Sequence, residues 1–201
     1  MTLEKPPVFI TERLATHLMD GGVAVIPTDT VVGLAVAPMQ ASRIWRLKGR
    51  PSDKPLILMG ASADALLHHV SVDCHDDAQK LSGQFWPGAL TLVLPAQGET
   101  QDALNPGGSS LGVRIPACEL TRLLLERTGP LATSSANPSG APAAMTAMSA
   151  SSYFPDLPQL GPQPWPKHSG QASTVIAWRG QGQWQLLRRG AVIPLELQSP
   201  D

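Results

Sequence analysis

"VAVIPT" (Val23–Thr28) and "VVGLAVAP" (Val31–Pro38) are apolar runs of strand length, and the second begins directly after Asp29–Thr30. Two strands this close in sequence are adjacent strands. Further runs of the same kind, "PLILMGA", "ALTLVLPA", "SLGVRIPA" and "PLATSSA", are instead separated by helix-like segments. A chain that mixes adjacent strands with strand–helix–strand passages is expected to form an α/β (α+β) domain. Its centre would be a twisted, mixed sheet flanked by helices, not a repeated βαβ wheel.

The helical segments carry their own signals. "ITERLATHLMDGG" predicts a helix with Thr11 as N-cap, an apolar stripe of Leu14, Leu18 and Met19, and a stop at Gly21–Gly22. A second helix is expected from Ser42 to Lys48, with Ile44 and Leu47 on one face. Residues 62–70, 74–85 and "CELTRLLLERTG" read as further helices, and 98–109 as a Gly- and Asn-containing loop. "STVIAWRG" and "QWQLLRRG" predict a closing hairpin around Gly180–Gly182. Residues 153–172 hold five prolines and little periodicity, which reads as a lid over a site or an excursion without structure.

At 201 residues the chain is expected to be one domain, 1–201. Its net charge of −1 gives no general attraction for nucleic acid or anionic lipid, so anion binding has to be local. No apolar run is long enough for a membrane span. The first residues, "MTLEKPPVFITERL", lack a secretion signal. Cys74 and Cys118 form no CxxC pair and read as reduced thiols, so the expected compartment is the cytoplasm. The five histidines have no metal-ligand spacing, and no structural metal is expected. GxxxxGK[ST], GxGxxG and HExxH are all missing.

"RIWRLKGRPSDK", Arg43 to Lys54, places five cations and one aspartate in twelve residues. Cations in the last turn of a helix complement its dipole, which accounts for Arg43 and Arg46. Gly49 is expected to end the helix, and Pro51 to push Arg50 into an extended conformation. An extended Lys48–Arg50 would send both side chains to the same side, towards an anion. "PTDT" (Pro27–Thr30) reads either as a turn bonding its own backbone or as the orienting end of a polar site. "ATSSANPSG" offers small residues and neutral hydrogen bonds at a strand end. Arg114 inside "SLGVRIP" requires a partner, either a ligand carboxylate or a buried aspartate.

Seven pieces occur in one order: "PTDTVVGLAVAP", "LKGRPSDKPLILM", "FWPGALTLVLPA", "LGVRIPA", "GPLATSSANPSGAP", "STVIAW" and "LLRRG". Together they resemble the YrdC-like family, the threonylcarbamoyl-AMP synthases, over about Val23 to Gly190, in the single-domain bacterial form. The resemblance implies a concave cationic face. It also implies a reaction in which L-threonine, bicarbonate and ATP give threonylcarbamoyl-adenylate and pyrophosphate. The adenylate would then serve a tRNA threonylcarbamoyl-transferase complex that makes threonylcarbamoyladenosine. By the same resemblance Thr30, Met59, Arg114, Ser135 and Ser173 fall at threonine contacts. Lys48, Arg50, Lys54, Ser110, Asn137, Met145 and Arg188 fall around the nucleotide, with Mg²⁺ accompanying ATP. Lys48 and Arg50 are the expected catalytic pair. Val32, Met59, Ala177 and Arg189 depart from the family pattern, and these departures bear on the amino-acid pocket more than on the nucleotide.

The implied chemistry needs no protein nucleophile, because a carbamate oxygen attacks the α-phosphate. It needs two mutually repelling anions held together by positioning and charge. Two other readings stay open: a paralogue with a different carbamoyl-adenylate activity, and a non-catalytic module that binds RNA weakly. The neutral balance and an aromatic content of 4% weigh against the second.

Overall fold

The computed structural model describes residues 6–197, and the two ends of the expected domain lie outside the described residues. Ten strands form one mixed sheet: β1 (Val8–Phe9), β2 (Ala24–Ile26), β3 (Gly33–Val36), β4 (Ile57–Met59), β5 (Leu90–Pro95), β6 (Ser110–Arg114), β7 (Leu131–Ser135), β8 (Gln159–Leu160), β9 (Thr174–Trp178) and β10 (Trp184–Arg188). Their spatial order is β1-β8-β2-β3-β7-β4-β6-β5-β9-β10. The adjacent strands β2 and β3 pair antiparallel, and so do β9 and β10. Strands that neighbour across a helix include parallel pairs, β4 with β6 and β5 with β9.

Among the described residues seven α-helices flank the sheet: α1 (Thr11–Met19), α2 (Ser42–Lys48), α3 (Ala63–Leu67), α4 (His75–Phe85), α5 (Glu99–Leu104), α6 (Glu119–Thr128) and α7 (Ala147–Tyr153). Strand alternation sorts the side chains between the two faces. Leu58, Leu92, Val113, Ala132 and Ile176 point to one face and join the larger core. There they meet Ile44 and Trp45 of α2, Leu66 of α3 and Leu81 of α4. A second core lies on the other face, where Leu14 and Leu18 of α1 and Leu124 and Leu125 of α6 pack on Ile26, Ala35 and Leu131. A cavity opens on this second face, over β4, β6, β5 and β9.

Several local expectations need correction. Thr11 is the first helical residue, with Ile10 in the cap position and no side-chain cap bond. Met19 and Leu47 are exposed, because the sheet touches only the face that carries Leu14 and Leu18 in α1 and that of Ile44 and Trp45 in α2. The loop expected at 98–109 contains α5, held by Leu104 in the core and by Gln101, whose Nε2 donates to the carbonyls of Asn105 and Gly108 at 2.8 and 2.9 Å. Residues 153–172 are not an excursion throughout, since β8 lies inside the sheet, parallel to both β1 and β2. Buried Gln159 satisfies its amide on the Ala147 carbonyl and Ser151 Oγ at 3.0 and 2.8 Å, which lets a polar residue occupy that strand.

The end of α2 differs from the expected extended passage. Gly49 adopts φ 56°, ψ 36°, a left-handed cap open to glycine at little cost. The N–H groups of Gly49 and Arg50 donate to the Arg46 and Trp45 carbonyls at 3.2 and 2.9 Å. Lys48 therefore stays helical and is not part of an extended passage.

Candidate active site

The residues that alternate with the core positions form the floor of the cavity. Ile57, Thr91 and Gly112 lie between leucines or valines that face the other way, and their register partners Thr133 and Val175 extend the same face onto β7 and β9. The cavity is about 480 Å³, within the range of small-molecule sites. A Cβ placed on Gly112 would lie 3.6 Å from both Ile57 Cγ1 and Thr91 Cγ2, so this glycine leaves the floor low.

Arg114 closes one end. It is 2% exposed, and each of its guanidinium nitrogens donates to a fixed acceptor. Nε donates to the Gly88 carbonyl at 2.9 Å, Nη1 to Thr30 Oγ1 at 3.0 Å, and Nη2 to Asp29 Oδ1 at 2.7 Å. The partner that the sequence demanded is thus Asp29, two residues after Pro27 in "PTDT". A guanidinium has five N–H bonds, so one remains on each terminal nitrogen, the number a bidentate carboxylate takes. Burial pushes the Arg114 pKa below the ordinary value while Asp29 pulls it back up. Thr30 Oγ1 also meets Thr28 Oγ1 at 2.9 Å, and the Thr28 hydroxyl donates to the Val31 carbonyl at 2.6 Å.

Arg50 and Arg188 stand elsewhere on the wall. Arg188 donates through Nε and Nη2 to the Ser173 carbonyl at 3.2 and 2.9 Å, and through Nη2 to Ser173 Oγ at 3.2 Å. Ser173 Oγ in turn lies 2.9 Å from Thr91 Oγ1. Arg50 is lightly held, with contacts of 3.4 Å to the Lys54 and Pro55 carbonyls. Burial lowers the pKa of both arginines, and Arg50 lowers that of Arg188 further. Among the described residues no Asp or Glu lines the cavity.

Of the threonine set, Thr30, Met59, Arg114, Ser135 and Ser173 all line the cavity. Of the nucleotide set, Arg50, Ser110 and Arg188 line it, whereas Lys48, Lys54, Asn137 and Met145 do not. Lys48 is 3% exposed and passes behind the end of β7. Its ammonium donates to the Ser135 carbonyl, to the Asn137 carbonyl at 2.5 Å and to Asn137 Oδ1 at 3.4 Å. Burial first, then Arg50, lowers its pKa to about 8. The side chain of Asn137 ties its own turn, donating to the carbonyls of Pro138 and Ala141 at 2.9 and 2.7 Å. Lys54 is exposed, and Met145 offers its carbonyl to His168 Nε2 at 2.5 Å.

The departures from the family pattern separate by position. Val32 is 1% exposed and belongs to the larger core, and neither it nor Ala177 touches the cavity. Met59 alone of the four is in the wall. Sequence reasoning missed Thr91, Asn105 and Gly112, and it covered Thr133 only within the "ATSSANPSG" stretch, without singling it out. The signal was present in "LTLVL", "SLGVR" and "LATSS", where small or polar residues alternate with aliphatic ones.

Residues 16–190 match the family model of the Sua5/YciO/YrdC proteins, described as "Telomere recombination". The chain belongs to this family. Within it, the chain is 36% identical over 137 residues to a threonylcarbamoyl-AMP synthase of Pyrococcus abyssi, which covers 66% of this chain and 40% of that protein. It is 34% identical over 154 residues to a threonylcarbamoyl-AMP synthase of Pseudomonas aeruginosa, covering 74% and 81%. The chain thus spans about two fifths of the Pyrococcus relative. The structure of Pyrococcus abyssi Sua5 complexed with L-threonine superposes with a TM-score of 0.83 at 33% identity, over 92% of this chain and 55% of that one. Family members therefore share this sheet, and one of them holds threonine.

Proposed function

We propose that this chain makes threonylcarbamoyl-adenylate and pyrophosphate from L-threonine, bicarbonate and ATP, in the cytoplasm, for a downstream transferase complex that modifies tRNA. One observation carries the reading: a single cavity joins a buried arginine that keeps two N–H bonds for a carboxylate to Arg50 and Arg188, with no carboxylate among the described residues of the wall. Such a site favours two anions at once. The named relatives and the threonine complex of a neighbour support the choice of substrate.

In this reading Arg114 clamps the threonine carboxylate, Thr30 and Ser173 border the amino acid, and Arg50 and Arg188 take the polyphosphate. The threonine amine attacks the bicarbonate carbon, and the bicarbonate hydroxyl leaves with an amine proton as water, which gives a carbamate. Its oxygen then attacks the α-phosphorus, and the bond to the β-phosphate breaks to release pyrophosphate. The cations offset the repulsion between carbamate and phosphates, and the floor holds them close, as in other phosphoryl-group chemistry. Lys48 holds the end of β7 and adds its charge from behind Ser135. Mg²⁺ would enter on the phosphates as part of the substrate, and no described carboxylate of the wall would hold it. The test is pyrophosphate release compared across amino acids at fixed ATP and bicarbonate. Release that is greatest with threonine is expected; release indifferent to the amino acid would point to a paralogue with other carbamoyl-adenylate chemistry.

A further inference from the structure

We infer that Asp29 is a positioning residue which sets the angle of Arg114 towards the amino-acid carboxylate, without touching the substrate itself. The inference rests on the function proposed above and deepens it.

Buried Arg114 and partly buried Asp29 form an ion pair, with 3% and 18% of their side-chain surfaces exposed. Asp29 does not line the cavity, although Thr28 and Thr30 on either side of it do. Its Oδ1 serves two donors at once: Arg114 Nη2 at 2.7 Å and the backbone N–H of Ala117 at 2.9 Å. Ala117 lies beyond the end of β6, so one oxygen links the guanidinium to the turn that leads into α6. The backbone of Asp29 is fixed as well. Its carbonyl accepts from Ser169 N at 3.0 Å, and the next carbonyl, of Thr30, accepts from Gly170 N at 2.9 Å.

These contacts leave Arg114 with no free rotation. Nε is held by Gly88, Nη1 by Thr30 and Nη2 by Asp29, so the plane of the guanidinium is determined from three sides. Gly88 and Thr30 hold through neutral acceptors. Asp29 is the charged partner, and hydrogen bonds to an ionised group are about twice as strong as neutral ones. Electrostatics alone would make Asp29 a hindrance, since its negative charge opposes the arrival of a carboxylate at the same guanidinium. Geometry gives it a use that charge does not: it decides which two N–H bonds remain, and where they point. A bidentate fork tolerates little error, so a displaced Arg114 would weaken the hold on the amino acid and leave the polyphosphate wall as it was.

Two substitutions separate position from charge. Asp29→Asn keeps an oxygen where Oδ1 lies and removes the charge. Asp29→Glu keeps the charge, balances the buried arginine, and moves the oxygens by one methylene. The expected result is a threonine KM about threefold higher for Asp29→Asn and thirtyfold or more for Asp29→Glu, with the ATP KM within twofold in both. A larger loss in Asn than in Glu would make charge the operative property and overturn the inference. Equal increases in the KM of ATP and threonine would assign Asp29 a general structural role and overturn it too. A second readout is independent of turnover: the ¹⁵N side-chain resonances of Arg114. Slowly exchanging Nη signals in the wild type and in Asp29→Asn, but averaged ones in Asp29→Glu, are expected; retention in Asp29→Glu would contradict the inference. If the wild type makes no threonylcarbamoyl-adenylate, the proposed function fails, and the resonances alone then decide the role of Asp29.

Discussion

Lys48 ends α2 with its ammonium against the Ser135 and Asn137 carbonyls, while Arg50, two residues later, faces the cavity. The two cations of "KGR" are therefore expected to respond differently to removal. Lys48→Ala strips donors from buried carbonyls and should cost about 1–3 kcal/mol of stability besides most of the activity. Arg50→Ala should lose most activity at nearly unchanged stability, since its protein contacts are long. Chemical denaturation beside turnover checks both. The lowered pKa of Lys48 also sets a pH dependence. Below about pH 8 the free protein carries this charge, and above it the charge is lost, so the affinity for ATP should fall as pH rises from 7.5 to 9. Calorimetry should show proton uptake on binding in that window, absent in Lys48→Gln; a flat profile in the wild type would contradict it. Gly190 is a second exacting position. A Cβ there would lie 2.3–2.4 Å from the backbone atoms Ala172 O, Ser173 C and Thr174 N, which cannot yield as a flexible side chain would. Gly190→Ala is expected to displace Ser173 and Arg188 together, destabilising the fold by about 1–3 kcal/mol and weakening ATP binding. Little of this was legible beforehand. The cations could be read as an anion site, but which of them faces the cavity depends on the left-handed turn at Gly49 and on carbonyls some ninety residues away.

At the scale of elements, most strands and helices were legible because apolar runs, glycine stops and a tight hairpin are local signals. The helix from Ser42 to Lys48 and the pairing of β9 with β10 formed as expected. α5 and β8 were not legible. "ETQDAL" has no apolar stripe, and its helix depends on Leu104 reaching the core. β8 is two residues among prolines, and its strand character comes wholly from β1 and β2, far away in sequence. The segment at 153–172 is thus part sheet, and only its last residues approach the site, through Ser169, Gly170 and Ala172. The alternation in β6 yields a test of the floor. At Gly112 an alanine Cβ meets ordinary contacts of 3.6 Å, so Gly112→Ala should fold normally, whereas Gly112→Leu should project into the cavity. Ligand-induced shifts in melting temperature are expected to survive in the alanine variant and vanish in the leucine variant.

Across the whole molecule, a chain of net charge −1 gathers Arg50, Arg114 and Arg188 around one cavity, with no carboxylate among the described residues of its wall. Burial and mutual repulsion disfavour the charged forms of Lys48 and Arg188, and an incoming polyphosphate would relieve that cost. Such a field is local and suits small anions better than a long nucleic-acid backbone. No described helix is long and apolar enough to cross a membrane. The family is shown by the match over residues 16–190, and what the cavity does is open to one direct measurement. Mass spectrometry of reactions containing ATP, L-threonine and bicarbonate, with each omitted in turn, is expected to detect threonylcarbamoyl-adenylate only when all three are present. A folded, ATP-binding protein that yields no such adenylate from the complete mixture would contradict the account.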